Sequence, residues 1–231
     1  MKNVAFIPVR SGSTRLKLKA LEKIGDESLL SIALKKAKLA NVFDEIICMG
    51  DSDSFKEISH KNKIKYYERE SINASNSASS EEVVLEAIKK TNGDFIYWIN
   101  ITHPFSKIST IKSVVDRLSN SDETIDSIFT AHSWLSHASL TENLNRPINF
   151  QKNDSFARTQ TMEKIILLTY GIMAWNASSF LERYNVHGSA MLNGNIGTFD
   201  VNRLESIWIK NQSDLDMVNK IISKKNILEF L

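Results

Sequence analysis

The chain has 231 residues, 42% of them hydrophobic and 24% charged, and carries a net charge of +2. Such a length can bury a sizeable core, and the near-balanced charge excludes a general pull toward nucleic acid or membrane, so any basic function must be local. Cys48 is the single cysteine, which excludes an intrachain disulfide framework or a cysteine-based zinc site and makes a reducing cytoplasm the expected compartment.

From the start, Met-Lys-Asn-Val leads into an apolar run of about seven residues, too short for the core of a signal peptide. No later stretch approaches a membrane span. "NVAFIPV" (3–9) is a continuous apolar run of the kind a strand buried on both faces requires. "SLLSIALKKAKLA" (28–40) places Leu30, Ala33, Leu34 and Ala37 on one face and reads as a helix. "DEIICMG" (44–50) reads as a second strand. "SSEEVVLEAIKK" (79–90) opens with serine caps and early glutamates, as a helix N-terminus favours, and leads into a buried strand at "DFIYWINI" (94–101). There Phe95, Tyr97 and Trp98 are expected to pack in the core.

"STIKSVVDRL" (109–118) predicts a helix and "DSIFTAH" (126–132) a strand. Residues 133–160 show no clear periodicity and suggest an insertion for substrate binding or dimerisation. His132 and His137 fall in or beside this stretch without accompanying carboxylates, which argues for pocket or surface residues over metal ligands. Strand character returns at "TYGIMAWN" (169–176), and "SDLDMVNKIISK" (213–224) predicts a closing helix capped by Ser213. Apolar runs of strand length alternating with helical segments define a layered α/β protein, and no linker divides residues 1–231 into separate domains.

The chemistry concentrates in "IPVRSGSTRLKLKAL" (7–21). A strand running through a small-residue loop toward a helix commonly presents backbone N–H groups to an anion. Arg10, Arg15 and Lys19 surround that loop, Gly12 permits close backbone approach, and the hydroxyls of Ser11 and Ser13 suit phosphate oxygens. A triphosphate fits this set, and a solvated basic loop is the alternative. The glycines of a Walker A loop or a dinucleotide fingerprint are missing.

These residues resemble the cytidylyltransferases that make CMP-activated sugar acids, the CMP-N-acylneuraminate and CMP-Kdo synthetases. Ile7, Pro8, Arg10, Gly12, Ser13, Arg15, Lys19 and Leu21 match the pattern I-P-A-R-x-G-S-x-R-x-x-x-K-x-L. "ASNSASSEEVVLEAI" (74–88) is similar to A-S-D-T-A-S-S-E-D-V-V-x-x-A, and "NITHPF" (100–105) stands where the family has Q-P-T-S-P-L. "ARTQ" (157–160), "YGIMAW" (170–175) and "ESIWIKNQSDL" (205–215) continue the family's order through nearly the whole chain.

The resemblance implies a Rossmann-like nucleotidyltransferase fold, with a mostly parallel but mixed central sheet flanked by helices, and a cytoplasmic homodimer. It implies transfer of CMP from CTP to an acidic sugar such as an N-acylneuraminate or Kdo, with release of pyrophosphate, in lipopolysaccharide or capsule biosynthesis. It places Arg10, Ser11, Gly12, Ser13, Arg15, Lys19, Asn76, Ser77 and Asn100 at the nucleotide, and Thr102, His103, Arg158 and Gln160 toward the sugar acid. Arg15 and Lys19 would hold the leaving phosphates.

The family also implies magnesium, and here the chain departs from it. The neuraminate branch carries D-I-D-T near its end; Trp208 and Lys210 stand at those carboxylates, and neither indole nor ammonium is an oxygen ligand. Asp51, Asp53 and Asp200 are the remaining oxygen donors, and Asp51 matches an acidic position of the family. Three explanations follow: magnesium held mainly by CTP, Lys210 acting catalytically in place of metal charge, or a nucleotide- or sugar-binding homologue that has lost the metal carboxylates and the reaction. A solvent-facing role for Lys210 and a packing role for Trp208 are the alternatives.

Overall fold

The computed structural model describes residues 1–12, 16–69, 79–119, 124–142, 145–150 and 162–222. The elements in chain order are β1 (Asn3–Pro8), β2 (Lys23–Ile24), β3 (Glu27–Ser28), α1 (Leu29–Ala40), β4 (Glu45–Gly50), α2 (Asp53–Lys61), β5 (Lys65–Glu68), α3 (Ser80–Thr91), β6 (Phe95–Ile99), α4 (Ile108–Ser119), β7 (Ser127–Trp134), β8 (Ile165–Asn176), α5 (Ala177–His187), β9 (Ile196–Asp200) and α6 (Gln212–Ile222). Among the described residues seven strands form one sheet in the order β5-β4-β1-β6-β8-β7-β9, in which β8 alone runs against the others. This is the mixed, mostly parallel α/β sheet expected. Strands β2 and β3 pair separately as a small hairpin.

The apolar run of β1 is explained by its place. It is paired on both edges, and helices cover both faces, so Val4 through Ile7 are wholly buried. Alternation sorts the side chains. Ala5, Ile7 and Val9 pack with Leu30 and Leu34 of α1, Phe55 of α2 and Ile111 and Val114 of α4. Val4 and Phe6 face Val83, Val84 and Ala87 of α3 and Phe180 of α5. A third cluster joins Leu16, Ile24, Leu29 and Phe105 to Ile209, Leu215 and Val218, seating the C-terminal segment against the start of α1.

The helix starts follow the sequence signals. The Ser28 side chain accepts from Ser31 N and caps α1. Ser79 and Glu82 form a reciprocal capping box on α3, a device worth about 1 kcal/mol. At α6 the expectation needs correction: the helix begins one residue before Ser213, and Asn211 is the cap, its Oδ1 accepting from Asp214 N at 3.1 Å. Ser213 instead donates to Asn211.

The insertion expected at 133–160 begins inside β7, and its described part is irregular apart from an isolated bridge between Ser139 and Pro147. Asn149 pins it at both ends, accepting from Ala138 N and donating to the Ser136 and Glu163 carbonyls. Strand β8 starts four residues earlier than the sequence suggests. Its added length pairs with the far half of β7, down to Trp134 opposite Ile165.

Candidate active site

The chain leaves β1 for β4 and β5 on one side and enters β6 on the other, so strand order reverses between β1 and β6. Open α/β sheets bind ligands outside the carboxyl ends of their strands at such a reversal. The residues following these two strands are the basic loop and "NITHPF".

After β1, Val9 N bonds Met49 O at 2.8 Å, and Arg10, Ser11 and Gly12 emerge exposed. Asp51, just past β4, holds this turn: its carboxylate accepts from Ser11 N at 2.8 Å and 3.1 Å and from Ser11 Oγ at 3.0 Å. Ser11 thus directs both its donors to Asp51, whereas the sequence suggested a hydroxyl aimed at phosphate. Arg69 lies beneath the loop, donating to the Val9 carbonyl at 3.4 Å. Burial holds its guanidinium below the ordinary range, against the nearby carboxylates of Glu86 and Asp51.

Lys19 sits on a 3-10 turn, Lys19–Leu21, with Leu18 before it in the left-handed region at φ 47°. Its Nζ donates to the carbonyls of Ile209 and Lys210, each at 3.1 Å. The basic segment and the C-terminal segment, far apart in sequence, are therefore joined by one ammonium.

At the end of β6 a chain of polar contacts fixes the facing wall. Asn100 N donates to Gly171 O and Asn100 Nδ2 to Tyr170 O, leaving Asn100 Oδ1 to accept from Thr102 N at 3.1 Å and Thr102 Oγ1 at 2.8 Å. Tyr170 reaches this geometry through a backbone twist unusual in a strand, φ 59°, next to the register shift between β7 and β8. Its neighbour Gly171 packs under His103, where a Cβ would come within 3.3 Å of the imidazole and 3.1 Å of Ser106 Oγ.

His103 is 2% exposed, its Nδ1 lies 3.2 Å from Thr102 Oγ1, and Nε2 meets no hydrogen-bond partner among the described residues. Burial first, and the charge of Lys36 second, push its pKa down to about 3, with the Thr169 backbone opposing, so the ring is neutral. It stacks on Trp208 at 6.0 Å between centroids, and Lys210 Nζ stands 4.1 Å above the Trp208 ring. Ile209 N donates to Thr102 O at 3.0 Å, which closes the wall.

Of the residues named from sequence, the structure brings together Lys19, Asn100, Thr102, His103, Trp208 and Lys210, and places Arg10, Ser11, Gly12 and Asp51 on the adjoining loop. Ser13, Arg15, Asn76, Ser77, Arg158 and Gln160 lie outside the described residues. Two buried groups escaped the sequence reading. Lys36 falls on the stripe of Ala33, Ala37 and Ala40, and a lysine on a core face was the available signal. Glu205 is 5% exposed; it accepts from Thr110 Oγ1 at 2.6 Å, Lys107 N at 3.1 Å and Asn202 Nδ2 at 2.7 Å, clamping the C-terminal segment to the start of α4.

Among the described residues the candidate magnesium carboxylates do not gather into one cluster. Asp51 is engaged by Ser11, and Asp53 lies in the first turn of α2. Asp200, at the end of β9, accepts from Ser133 N of β7, and β9 lies four strand spacings or about 19 Å from β1. Among the described residues no three His, Cys, Asp or Glu side chains cluster closely enough to hold a metal.

The order of the sheet, the reversal between β1 and β6 and the basic loop at their carboxyl ends define an α/β protein of the nucleotidyltransferase type. A sequence profile described as "Cytidylyltransferase" matches residues 4–189, and the chain belongs to that family.

Among characterised proteins, 123 residues are 29% identical to the 3-deoxy-manno-octulosonate cytidylyltransferase of Elusimicrobium minutum (strain Pei191), covering 53% of this chain and 48% of that protein. A stretch of 90 residues is 31% identical to the pseudaminic acid cytidylyltransferase of Campylobacter jejuni subsp. jejuni serotype O:2, covering 38% and 39%. The chain thus spans about half or less of the length of these relatives. Among solved structures it is similar to CMP:2-keto-3-deoxy-manno-octonic acid synthetase complexed with CTP, with TM-score 0.71, 16% identity and coverage of 97% and 99%. It is also similar to 4-diphosphocytidyl-2C-methyl-D-erythritol synthase from Anaerococcus prevotii, with TM-score 0.68, 14% identity and coverage of 96% and 99%. These likenesses establish the fold. No helix among the described residues is long and apolar enough to cross a membrane.

Proposed function

We propose that this chain transfers CMP from CTP to an acidic 2-keto sugar of the Kdo or nonulosonate class. The anomeric hydroxyl oxygen bonds to the α-phosphorus, the bond from that phosphorus to the bridging oxygen breaks, the hydroxyl proton passes to solvent or a substrate phosphate, and pyrophosphate leaves. Such a reaction asks the protein mainly to position reactants and to stabilise developing charge. The single observation carrying the reading is Lys19, which follows the β1 loop and donates to the carbonyls of Ile209 and Lys210, Ile209 N in turn bonding Thr102 O.

In this reading Arg10, Gly12, Ser13, Arg15 and Lys19 face the phosphates, Asn76, Ser77 and Asn100 the nucleotide, and Thr102, Arg158 and Gln160 the sugar acid. Ser11 shapes the loop through Asp51, and His103 acts through Thr102, because its ring is buried. Lys210 supplies a fixed charge where the family has a carboxylate, and magnesium enters with CTP. The Kdo and pseudaminic acid relatives support the substrate class. The exposed Trp134, Leu135, Ile166 and Leu167 at the far end of the β7–β8 pair support a homodimer, and the lone buried Cys48 supports a cytoplasmic setting.

A second reading, a binding homologue without the reaction, is favoured by the indole and ammonium at positions 208 and 210. Titration calorimetry with CTP and pyrophosphate release from CTP with a panel of 2-keto sugar acids, with and without magnesium, separate the two. CTP binding with sugar-dependent pyrophosphate release supports the enzyme. Binding without release from any acid favours the homologue, and absence of CTP binding refutes both nucleotide readings.

A further inference from the structure

Lys36 is the least expected charge in the molecule. It lies in the middle of α1, is 1% exposed, and shares the buried face of the helix with Ala33, Ala37 and Ala40. An ammonium taken out of water loses several kcal/mol of hydration unless strong acceptors replace it, and an apolar side chain of similar volume would pack there more cheaply. Its acceptor is the carbonyl of Pro104, in the loop following β6. Its countercharge is Glu205, whose carboxylate already binds Thr110, Lys107 N and Asn202. Lys36 therefore stands between the two segments that carry Thr102 on one side and Trp208 and Lys210 on the other.

The hydrogen bonds of the loop also tie the His103 ring to Thr102. Asn100 Nδ2 is directed at Tyr170 O, so Asn100 Oδ1 is the acceptor for Thr102 Oγ1. The single hydroxyl proton of Thr102 is used there, and Thr102 Oγ1 also lies 3.2 Å from His103 Nδ1, so the imidazole is tied to the same loop contact. His103 Nε2 is buried and makes no well-formed hydrogen bond among the described residues, while the Thr169 backbone also acts on the ring, favouring its charged form. The cation bearing on this ring is Lys36. That charge, added to burial, keeps the imidazole neutral beside Thr102.

We propose that Lys36 is a positioning residue for the transfer reaction: buried in α1 and anchored on the Pro104 carbonyl, it fixes the 100–106 loop relative to α1 and the basic loop that precedes it. The proposal rests on the enzymatic reading above. It explains why α1 carries an ammonium at a position whose packing needs none: the charge selects one conformation of the loop.

The test uses the full chain carrying Lys36→Met, with Lys36→Gln as a second variant that keeps a donor toward Pro104. Four quantities are read: the melting temperature, the CTP Kd by calorimetry, kcat and KM for pyrophosphate release, and the imidazole nitrogen shifts of His103 by NMR. The Met variant is expected to melt no lower than wild type and to bind CTP within about threefold, while kcat falls by about tenfold or more, the split characteristic of misplaced reacting groups. The His103 nitrogen shifts move, and the Gln variant lies between. If the Met variant fails to fold, the same comparison is made with Gln.

A folded variant with kcat within about twofold of wild type overturns the proposal, as do unchanged His103 shifts. Wild-type protein that binds CTP yet releases no pyrophosphate from any acid defeats the enzymatic reading instead. The hold of Lys36 on the loop is then decided by the His103 shifts alone.

Discussion

Lys19 donates to the backbone carbonyl of Lys210 at 3.1 Å, so the cation of the N-terminal loop is placed by the segment that carries the cation of the C-terminal end. The two lysines occupy one site, from opposite ends of the chain. Replacing Lys19 with Met removes two carbonyl contacts worth about 1 kcal/mol each and the charge placed for phosphate. The expected outcome is a folded protein whose kcat/KM for CTP falls about a hundredfold. Wild-type CTP use by Lys19→Met would remove Lys19 from the phosphate site.

Lys210 is exposed, yet its ammonium rests on the Trp208 ring, which in turn stacks on His103. A cation tethered this way presents its charge in a narrower range of positions than a free surface lysine. Lys210→Ala should lower kcat by about tenfold with little loss of stability, and Lys210→Asp should increase the dependence of the rate on magnesium. Steady-state kinetics across a magnesium series decides this, and unchanged kinetics in both variants defeats the charge-substitution idea.

Asp51 matches an acidic position of the family, but its oxygens hold Ser11. If its work is to shape the loop, Asp51→Asn, which weakens all three contacts, should raise the CTP KM about fivefold to tenfold, and Ser11→Ala, which removes only the Oγ bond, should raise it by a smaller factor. The double variant should be no worse than the Asp51 variant alone. An Asp51→Asn effect of about a hundredfold or more would exceed what three lost loop contacts explain and point to a direct role for the carboxylate.

Gly171 is required by packing and not by φ. A methyl group there would stand 3.3 Å from the His103 ring and 3.1 Å from Ser106 Oγ, tighter than ordinary contact, and the buried ring has little room to move. Gly171→Ala should cost about 1–3 kcal/mol of stability, measured by denaturant unfolding, and lower kcat more than it raises KM. A variant as stable and active as wild type would show that the wall beneath His103 is soft.

Much of this was legible because its signals are local. The β1 run, the α1 stripe, the serine caps and the basic loop each lie within a few residues of one another. The elements missed were the short strands β2, β3, β5 and β9 and two helices with little to bury: α2 packs through Phe55, and α5 through Ala177 and Phe180. The site was harder, because its decisive contacts join remote positions. Nothing in "SIALKKAK" says that Lys36 will meet Pro104, and nothing near Asp51 says that both its oxygens will go to Ser11. Departures from the family pattern at 208 and 210 were visible, but the stack that links them to His103 required the fold.

The buried pair also sets the response to pH. Burial drops Lys36 from 10.5 to about 7, and burial with the nearby Lys36 charge drops His103 from 6.5 to about 3. Glu205 faces Lys36 as countercharge, and Lys107 stands 3.9 Å from the same carboxylate. For both depressed groups the unfolded chain holds the extra proton between the two pKa values, so unfolding becomes harder as pH rises. The His103 contribution is complete above pH 6.5 and is lost as pH falls toward 3; that of Lys36 grows from about pH 7 to 10.5. Urea unfolding across this range should show stability rising through the alkaline window in wild type. In Lys36→Met that rise should vanish, and the variant should exceed wild type at neutral pH. Parallel curves for the two proteins above pH 7 would mean that Lys36 titrates normally and that its ammonium is not held in the interior.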